Sequence, residues 1–441
     1  MARTFIPIEQ SAGLESPPES EEKLVATMPR IERLPSVPQV TSYQGQSRRR
    51  SHGLEKRLVE ELYRRIGSPA VQLALWDGTI IGEHVRPVGR VVLCEPRGLR
   101  RLLVNRELGF CEAYVANDLI VEGDLVEILT ELNRSVARSE KHGWKPRLPR
   151  WLWSQRTLAE SKENVHRHYD IGNDFYQLWL DPQLVYSCAY YKTPTTTLND
   201  AQRFKLDHVC RKLRLKPGET VVEAGCGWGA LALHMARHYG VTVRAFNLSR
   251  EQLDFARSRA RSEQLSDRVE FIEDDYRNIA ATCDAFVSVG MLEHVGPENY
   301  RGLGQLIGRI LAHDGRGLIH TIGRNFAKRL DPWTLKYIFP GAYVPCLREM
   351  MDLFEQTDFS VIDVENLRLH YAKTCSDWLE RFENTIDSVQ RMFDERFVRM
   401  WRLYLAASTA AFLNGDLQLF QVVFARATKN DLPWTRQDWY A

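Results

Sequence analysis

The segment Val221-Val222-Glu223-Ala224-Gly225-Cys226-Gly227-Trp228-Gly229 runs from an apolar stretch through an acid into three alternating glycines. Glycine lets a backbone turn sharply and approach a ligand closely, and such turns mark the places where doubly wound sheets bind nucleotide-like molecules. The spacing is not the dinucleotide pattern G-x-G-x-x-G, and it is not a phosphate loop, because no Gly-Lys-Ser/Thr follows. An acid, Glu223, ahead of Gly225, Gly227 and Gly229 suits instead a ligand with a cationic amino-acid part and no phosphate. Asn247 and Gln252 in NLSREQ offer the hydrogen bonds that a ribose needs at the next strand edge. Ser249 with Gln252 also reads as a capping box, which would fix where Gln252 points. Asp275 and Tyr276 in DDYR are candidates for contacting a purine ring, with a solvated acidic turn as the alternative.

These groups need a scaffold. From about residue 219, TVVEAGCG, VTVRAFNL, RVEFIEDD, AFVSVG and RGLIHTIG alternate with the helical stretches ALALHMARHYG and REQLDFARSRARSEQ. That alternation predicts an α/β fold with a mainly parallel sheet. EMMDLFEQTD predicts a helix, SVIDVENLRLH a strand, and residues 375–413 a long helical region. QLFQVVFAR predicts a late strand entering antiparallel at one edge. Upstream, Leu54, Leu58, Leu62 and Ile66 repeat at helical spacing. VQLALWDG, TIIGEHV, GRVVLCEP, LRRLLVN and NDLIVEG then read as short strands of a small sheet, closed by the amphipathic helix DLVEILTELNRSV. The organisation expected is a disordered arm over 1–50, an accessory α+β domain over 51–137, a basic Trp-rich linker over 138–160 and a catalytic domain over 161–441.

The chain has 441 residues, with 59 Lys+Arg against 57 Asp+Glu and a net charge of +2. Such a balance argues against a dedicated nucleic-acid binder, which carries a basic excess. No run of 18 apolar residues occurs, and MARTFIPIEQSAG lacks the apolar stretch of a secretory signal. A cytoplasmic location is expected. The eight cysteines are scattered without a C-x-x-C pair, so neither a zinc site nor a disulfide framework is expected, and no metal. Between Arg134 and Arg156 stand seven Lys/Arg and one acid, Glu140, interleaved with Trp144, Trp151 and Trp153. A bilayer surface attracts that mixture, at about 1 kcal/mol per cation near anionic lipid. The alternative is a solvated linker whose tryptophans pack on neighbouring domains, and two prolines argue against a long amphipathic helix here.

EAGCGWGALALHMARHYG, FNLSREQ, VSVGMLEHVG, HTIG and YIFPGAYVP, with VHRHYDIGNDFYQLWLDPQLVYSCAYY, resemble the cyclopropane-fatty-acyl-phospholipid synthase family from about Asn164 to Arg426. The module containing LGFCEAYVANDLIVEGDLVEIL resembles the accessory domain of its longer, bacterial-type members. The resemblance implies a class I, Rossmann-like methyltransferase fold that uses S-adenosylmethionine. It also implies a reaction in which the cis double bond of a phospholipid acyl chain attacks the methyl group. The resulting carbocation loses a proton to bound bicarbonate and closes to a cyclopropane. By motif, the bicarbonate set is the side chains of Cys188 in YSCAYY, Glu293 in MLEHVG, His320 in HTIG and Tyr371 in HYAKT, with a backbone group of Ile322 in HTIG. Tyr186 and Ser187 join the cofactor residues named above. The implied partner is a phospholipid bilayer, met peripherally at the inner face of the membrane; a homo-oligomer is left open.

The implied set has a physical logic. His320 and Ile322 stand two apart on a predicted strand and share a face. Glu293 follows AFVSVG, at the carboxyl edge where α/β sites form. His320, Tyr371 and Cys188 can donate hydrogen bonds to an anion, with Glu293 orienting His320. Rings from HYDIGNDFY and Tyr343 can stabilise a cation through their π faces. Two positions depart from the family pattern: Glu223 stands for the usual Asp and Asn247 for the common Thr. Other outcomes on the same scaffold are a methyl or methylene branch without ring closure, transfer to an amine, and a non-enzymatic lipid-binding protein.

Overall fold

The structure, a computed structural model, describes Ser51, residues 53–140 and residues 171–440. The expected disordered arm, and the linker from residue 141 onward, lie outside the described residues.

The N-terminal part opens with α1 (Gly53–Arg65), which turns Val59, Leu62 and Tyr63 inward and leaves Leu54 in solvent. The buried stripe is therefore rotated from the predicted leucine repeat. Strands β1 (Val71–Ala74), β2 (Ile80–Ile81), β3 (Gly89–Leu93) and β4 (Leu119–Glu122) form a sheet in the order β2-β1-β3-β4. LRRLLVN is not one of its strands. It belongs to α2 (Pro96–Val104), because Pro96 presets the first helical turn and Leu99 and Leu102, three apart, are both buried. Asn105 then caps α3 (Arg106–Val115), its side chain accepting from the Leu108 amide at 3.1 Å. Helix α4 (Leu125–Glu140) continues past the predicted boundary at 137 and takes in Arg134 and Arg138 of the basic stretch.

Helices α5 (Asn173–Trp179) and α6 (Leu198–Lys212) lead into β5 (Thr220–Ala224), α7 (Ala230–Tyr239), β6 (Thr242–Asn247), α8 (Arg250–Ser262), β7 (Val269–Glu273) and β8 (Cys283–Val289). Then come α9 (Leu292–Val295), α10 (Tyr300–Ile310), β9 (Leu311–Gly323), α11 (Pro332–Tyr337), α12 (Leu347–Met350) and β10 (Phe359–Asn366). The chain continues through α13 (Arg368–Glu383), α14 (Ile386–Met392), α15 (Glu395–Asn414), β11 (Gln418–Arg426) and α16 (Gln437–Tyr440). The seven strands β5–β11 form one sheet in the order β10-β11-β9-β8-β5-β6-β7. Its strands from β9 to β7 pair in parallel, and β11 runs antiparallel to both its neighbours. The late strand therefore lies one place inside the edge, with β10 outside it. Helices cover both faces: β5 buries Val221 in one apolar layer and Val222 in the other. EMMDLFEQTD yields only the single turn of α12 and a 3-10 turn, with Glu349 folded back to accept from the Cys346 amide and the Tyr343 hydroxyl. The predicted helical region over 375–413 is broken into α13, α14 and α15. The eight cysteines are all free thiols.

Candidate active site

At the carboxyl edge of β5, β6 and β7, one cavity is walled by nine of the ten predicted cofactor residues: Tyr186, Ser187, Glu223, Gly225, Gly227, Asn247, Gln252, Asp275 and Tyr276. Gly225, Gly227 and Gly229 all have positive φ, so the turn from β5 to α7 is tight. A Cβ on Gly227 would stand in open space. Gly229 is the exception among the ten. It lies behind the wall, where a Cβ would come within 2.6 Å of the Phe271 ring, so its role is to let α7 pack on β7 and α8.

The polar groups on this wall differ in how much bonding capacity they keep. Glu223 is buried with its Oε2 unpartnered, and burial pushes its carboxyl up to about 8. Such a group favours a neighbouring cation, which would restore its charge. Asn247 is engaged at both ends: its Nδ2 donates to Gln252 Oε1 at 2.8 Å and its Oδ1 accepts from the Leu248 amide. This leaves Gln252 Nε2 buried and unpartnered beside the cavity. The Asp275 carboxylate is held by the Arg277 side chain and amide, and the Tyr276 ring on the same wall lies 5.3 Å from the Arg277 guanidinium.

The other implied set gathers beside this cavity. Cys188, fully buried, lies in one apolar cluster with Ile322 and Tyr371. Glu293 Oε1 accepts from the Ile322 amide at 2.6 Å, while its Oε2 is buried and unpartnered. His320 shares the Ile322 face of β9, and its Nδ1 meets the Gln421 side-chain amide Nε2 at 3.0 Å. An amide nitrogen only donates, so Nδ1 accepts and the ring proton sits on Nε2, which is buried and unpartnered. Two expectations are corrected here. Glu293 orients the Ile322 backbone and not His320, and the Ile322 amide is already engaged. The residue that orients His320 is Gln421, its register partner on β11.

Burial sets the charge states. It pushes the Glu293 carboxyl up to about 7 and holds His320 well below the usual imidazole range, with Lys205, Lys212 and His208 adding to the effect. It raises the Cys188 thiol and the Tyr371 phenol well above their ordinary values. Burial thus favours the neutral form of each group, and the Cys188 thiol donates to the Ala189 carbonyl at 3.2 Å. Phe175 and Tyr176 belong to an aromatic cluster with Trp179, Tyr186 and Trp401, and the Tyr343 amide donates to the Glu293 carbonyl at 2.8 Å. The His168–Asp170 part of HYDIGNDFY lies outside the described residues.

Sequence reasoning missed two residues. Lys205 on α6 is 2% exposed, its Nζ donating to Ser187 Oγ at 3.0 Å, and burial brings it down to about 8. Its signal was its place four residues from Ala201 and from Val209, on the buried stripe of the helix. Gln421 carries no local signal, since its role follows only from the pairing of β11 with β9.

The family model described as "Mycolic acid cyclopropane synthetase" matches residues 156–422. A "Probable fatty acid methyltransferase" of Pseudomonas putida is 36% identical over 384 residues, covering 84% of this chain and 96% of that protein. The "Cyclopropane-fatty-acyl-phospholipid synthase" of Escherichia coli (strain K12) is 41% identical over 266 residues, covering 60% of this chain and 68% of that protein. Among solved structures, mycolic acid cyclopropane synthase CmaA1 complexed with SAH and CTAB superposes with a TM-score of 0.57 at 29% identity. That superposition covers 60% of this chain and 98% of that one. With that family model over residues 156–422, a mostly parallel seven-stranded sheet and a cavity at the glycine turn of β5, the chain belongs to the mycolic acid cyclopropane synthetase family and is a methyltransferase.

Proposed function

We propose that this methyltransferase is a cyclopropane fatty acid synthase that acts on the cis double bond of unsaturated phospholipid acyl chains. The observation that carries the reading is the pair of buried, unpartnered atoms, His320 Nε2 and Glu293 Oε2, among neutral donors beside the cofactor cavity. A buried polar atom without a partner carries a desolvation cost that a ligand can remove, and here two such atoms stand on residues joined through β9. The names of the P. putida and E. coli relatives share a fatty-acid or fatty-acyl substrate, the first naming methyl transfer and the second a cyclopropane product.

S-adenosylmethionine, when bound, supplies the electrophilic methyl group. The wall fits it: Glu223 would take the ammonium of its amino-acid part, Gln252 Nε2 a ribose hydroxyl and the Tyr276 ring the adenine. Bicarbonate, when bound, supplies a base. The His320 Nε2–H and the Tyr371 hydroxyl would hold that anion, and the Cys188 thiol would join them by turning from the Ala189 carbonyl. Protonated Glu293 would add a fourth donor through Oε2 while its Oε1 keeps the Ile322 amide in place. The apolar residues around Cys188, Leu367 and Leu419 exclude water, which strengthens each of these contacts. The aromatic cluster around Tyr186 presents π faces to positive charge.

The test is lipid mass spectrometry after expression in a host rich in monounsaturated phospholipid. The expected product gains one CH2 and loses its alkene signal. A gain of CH4 would mean a saturated methyl branch, and a gain of CH2 with the alkene retained a methylene branch; either overturns ring closure. Glu293→Leu, which removes both oxygens, and Tyr371→Phe, which removes a donor, should each cut turnover by about 100-fold or more with S-adenosylmethionine still bound. Thorough carbon dioxide removal should slow the wild type.

A further inference from the structure

The chain leaves β9 at Gly323, directly after His320 and Ile322, and enters an exposed loop before α11. Phe326 on that loop is 64% exposed, with Lys328 and Arg329 exposed beside it. Among the described residues, Lys328 and Arg329 make no ion pair. A second segment lies alongside. Val104, the last residue of α2, is 88% exposed and Arg106 opens α3 in solvent. The two segments are tied together, because Lys336 Nζ and Tyr337 Oη at the end of α11 reach Glu112 of α3 at 3.0 and 2.8 Å. Asp331 after the loop and Glu107 of α3 both act on buried Arg324 and on Cys111. Asp416 also acts on Arg324 and Glu112 on Cys111, so the acids around this stretch are Asp331, Glu107, Glu112 and Asp416. On its far side the same stretch of chain continues to Phe339, whose ring lies 5.7 Å from Tyr404 and 6.3 Å from His294 on the cavity wall.

Exposed aromatic and apolar tips set among unpaired cations are what a membrane surface with anionic headgroups selects. What sets this face apart is the grouping: Phe326, Leu103 and Val104 are exposed on the two segments that also carry Lys328, Arg329 and Arg106. We infer that the loop bearing Phe326, Lys328 and Arg329, with Val104 and Arg106 beside it, is the face that docks on an anionic phospholipid bilayer. Phe326 enters the interface, the cations meet phosphates, and the acyl chain has a short path to the end of β9. The inference rests on the phospholipid reading of the substrate and adds to it where the bilayer is met.

The test is co-sedimentation of the full chain with vesicles of phosphatidylglycerol and phosphatidylethanolamine, and with vesicles of phosphatidylcholine alone. Wild type should prefer the anionic vesicles and release with added salt. Phe326→Ser and the pair Lys328→Glu with Arg329→Glu should each weaken anionic-vesicle binding by about tenfold or more. Their thermal midpoints and S-adenosylmethionine affinities, read alongside, establish that they are folded. Lys429→Glu, a charge change elsewhere on the chain, should bind as wild type does. Unchanged vesicle binding in the loop variants overturns the inference, as does wild-type binding that is equal on both vesicle types. Docking that follows this pattern without lipid product would sink the substrate reading alone. Lipid product with unaffected loop variants would sink the docking face alone.

Discussion

The charged forms of Glu293 and His320 are disfavoured for one shared reason, the removal of water from around them, and that makes the site pH-sensitive in a definite direction. The Glu293 carboxyl rises from 4.5 to about 7 on folding. Between those values the folded protein binds more protons than the unfolded chain, so stability falls as pH rises through the window. At 1.36 kcal/mol per unit the contribution is at most about 3 kcal/mol. Glu293→Gln should therefore have a flatter thermal midpoint between pH 5 and pH 8 than the wild type, the gap in the variant's favour widening towards pH 8. Parallel midpoints for the two proteins across that range would contradict the burial argument. His320 presents a proton on Nε2 because Gln421 holds Nδ1, a second-layer contact that determines which face of the ring can donate.

At the scale of elements, the turn between β5 and α7 separates two kinds of glycine. Gly229→Ala should cost about 1 kcal/mol for the left-handed backbone and about 1–3 kcal/mol more for the clash with Phe271 and Ala256. It should lower the denaturant midpoint with little direct effect on cofactor contacts. Gly227→Ala places its methyl group in open space on the cavity wall. It should lose S-adenosylmethionine affinity by more than its loss of stability explains, as titration calorimetry beside unfolding would show. The sequence pattern foretold β5 to β9 well, because strands buried on both faces write themselves as continuous apolar runs such as TVVEA and AFVSV. It misread α2, where adjacent leucines mimic a strand and only Pro96 with the spacing of Leu99 and Leu102 favours a helix. The cofactor wall could be read from one dense motif. Gln421 could not, since strand neighbours far apart in sequence leave no local trace, and Lys205 was hidden by the habit of reading a lysine as solvent-facing.

For the whole molecule, the small sheet and the large one are joined through α15. Buried Arg399 donates from Nε to the Tyr114 carbonyl at 2.6 Å and from Nη2 to the Leu119 carbonyl at 3.1 Å, with its guanidinium over the Tyr114 ring. Asn414 at the other end of α15 donates to the Thr130 carbonyl of α4 at 3.1 Å. Arg399→Ala removes donors from two carbonyls and should cost about 2–4 kcal/mol. Wild-type unfolding should be a single transition for both sheets; two separated transitions would show that the joint is weak. Among the described residues no helix is long and apolar enough to cross a membrane.

The placement of β11 between β9 and β10 also sets an order of assembly. Gln421 reaches His320 across 101 residues of sequence, whereas β5, β6 and β7 pair with near neighbours through short crossovers. Contacts closing long loops form late. A chain still emerging during synthesis can thus shape its methyl-donor cleft well before the imidazole acquires a fixed tautomer.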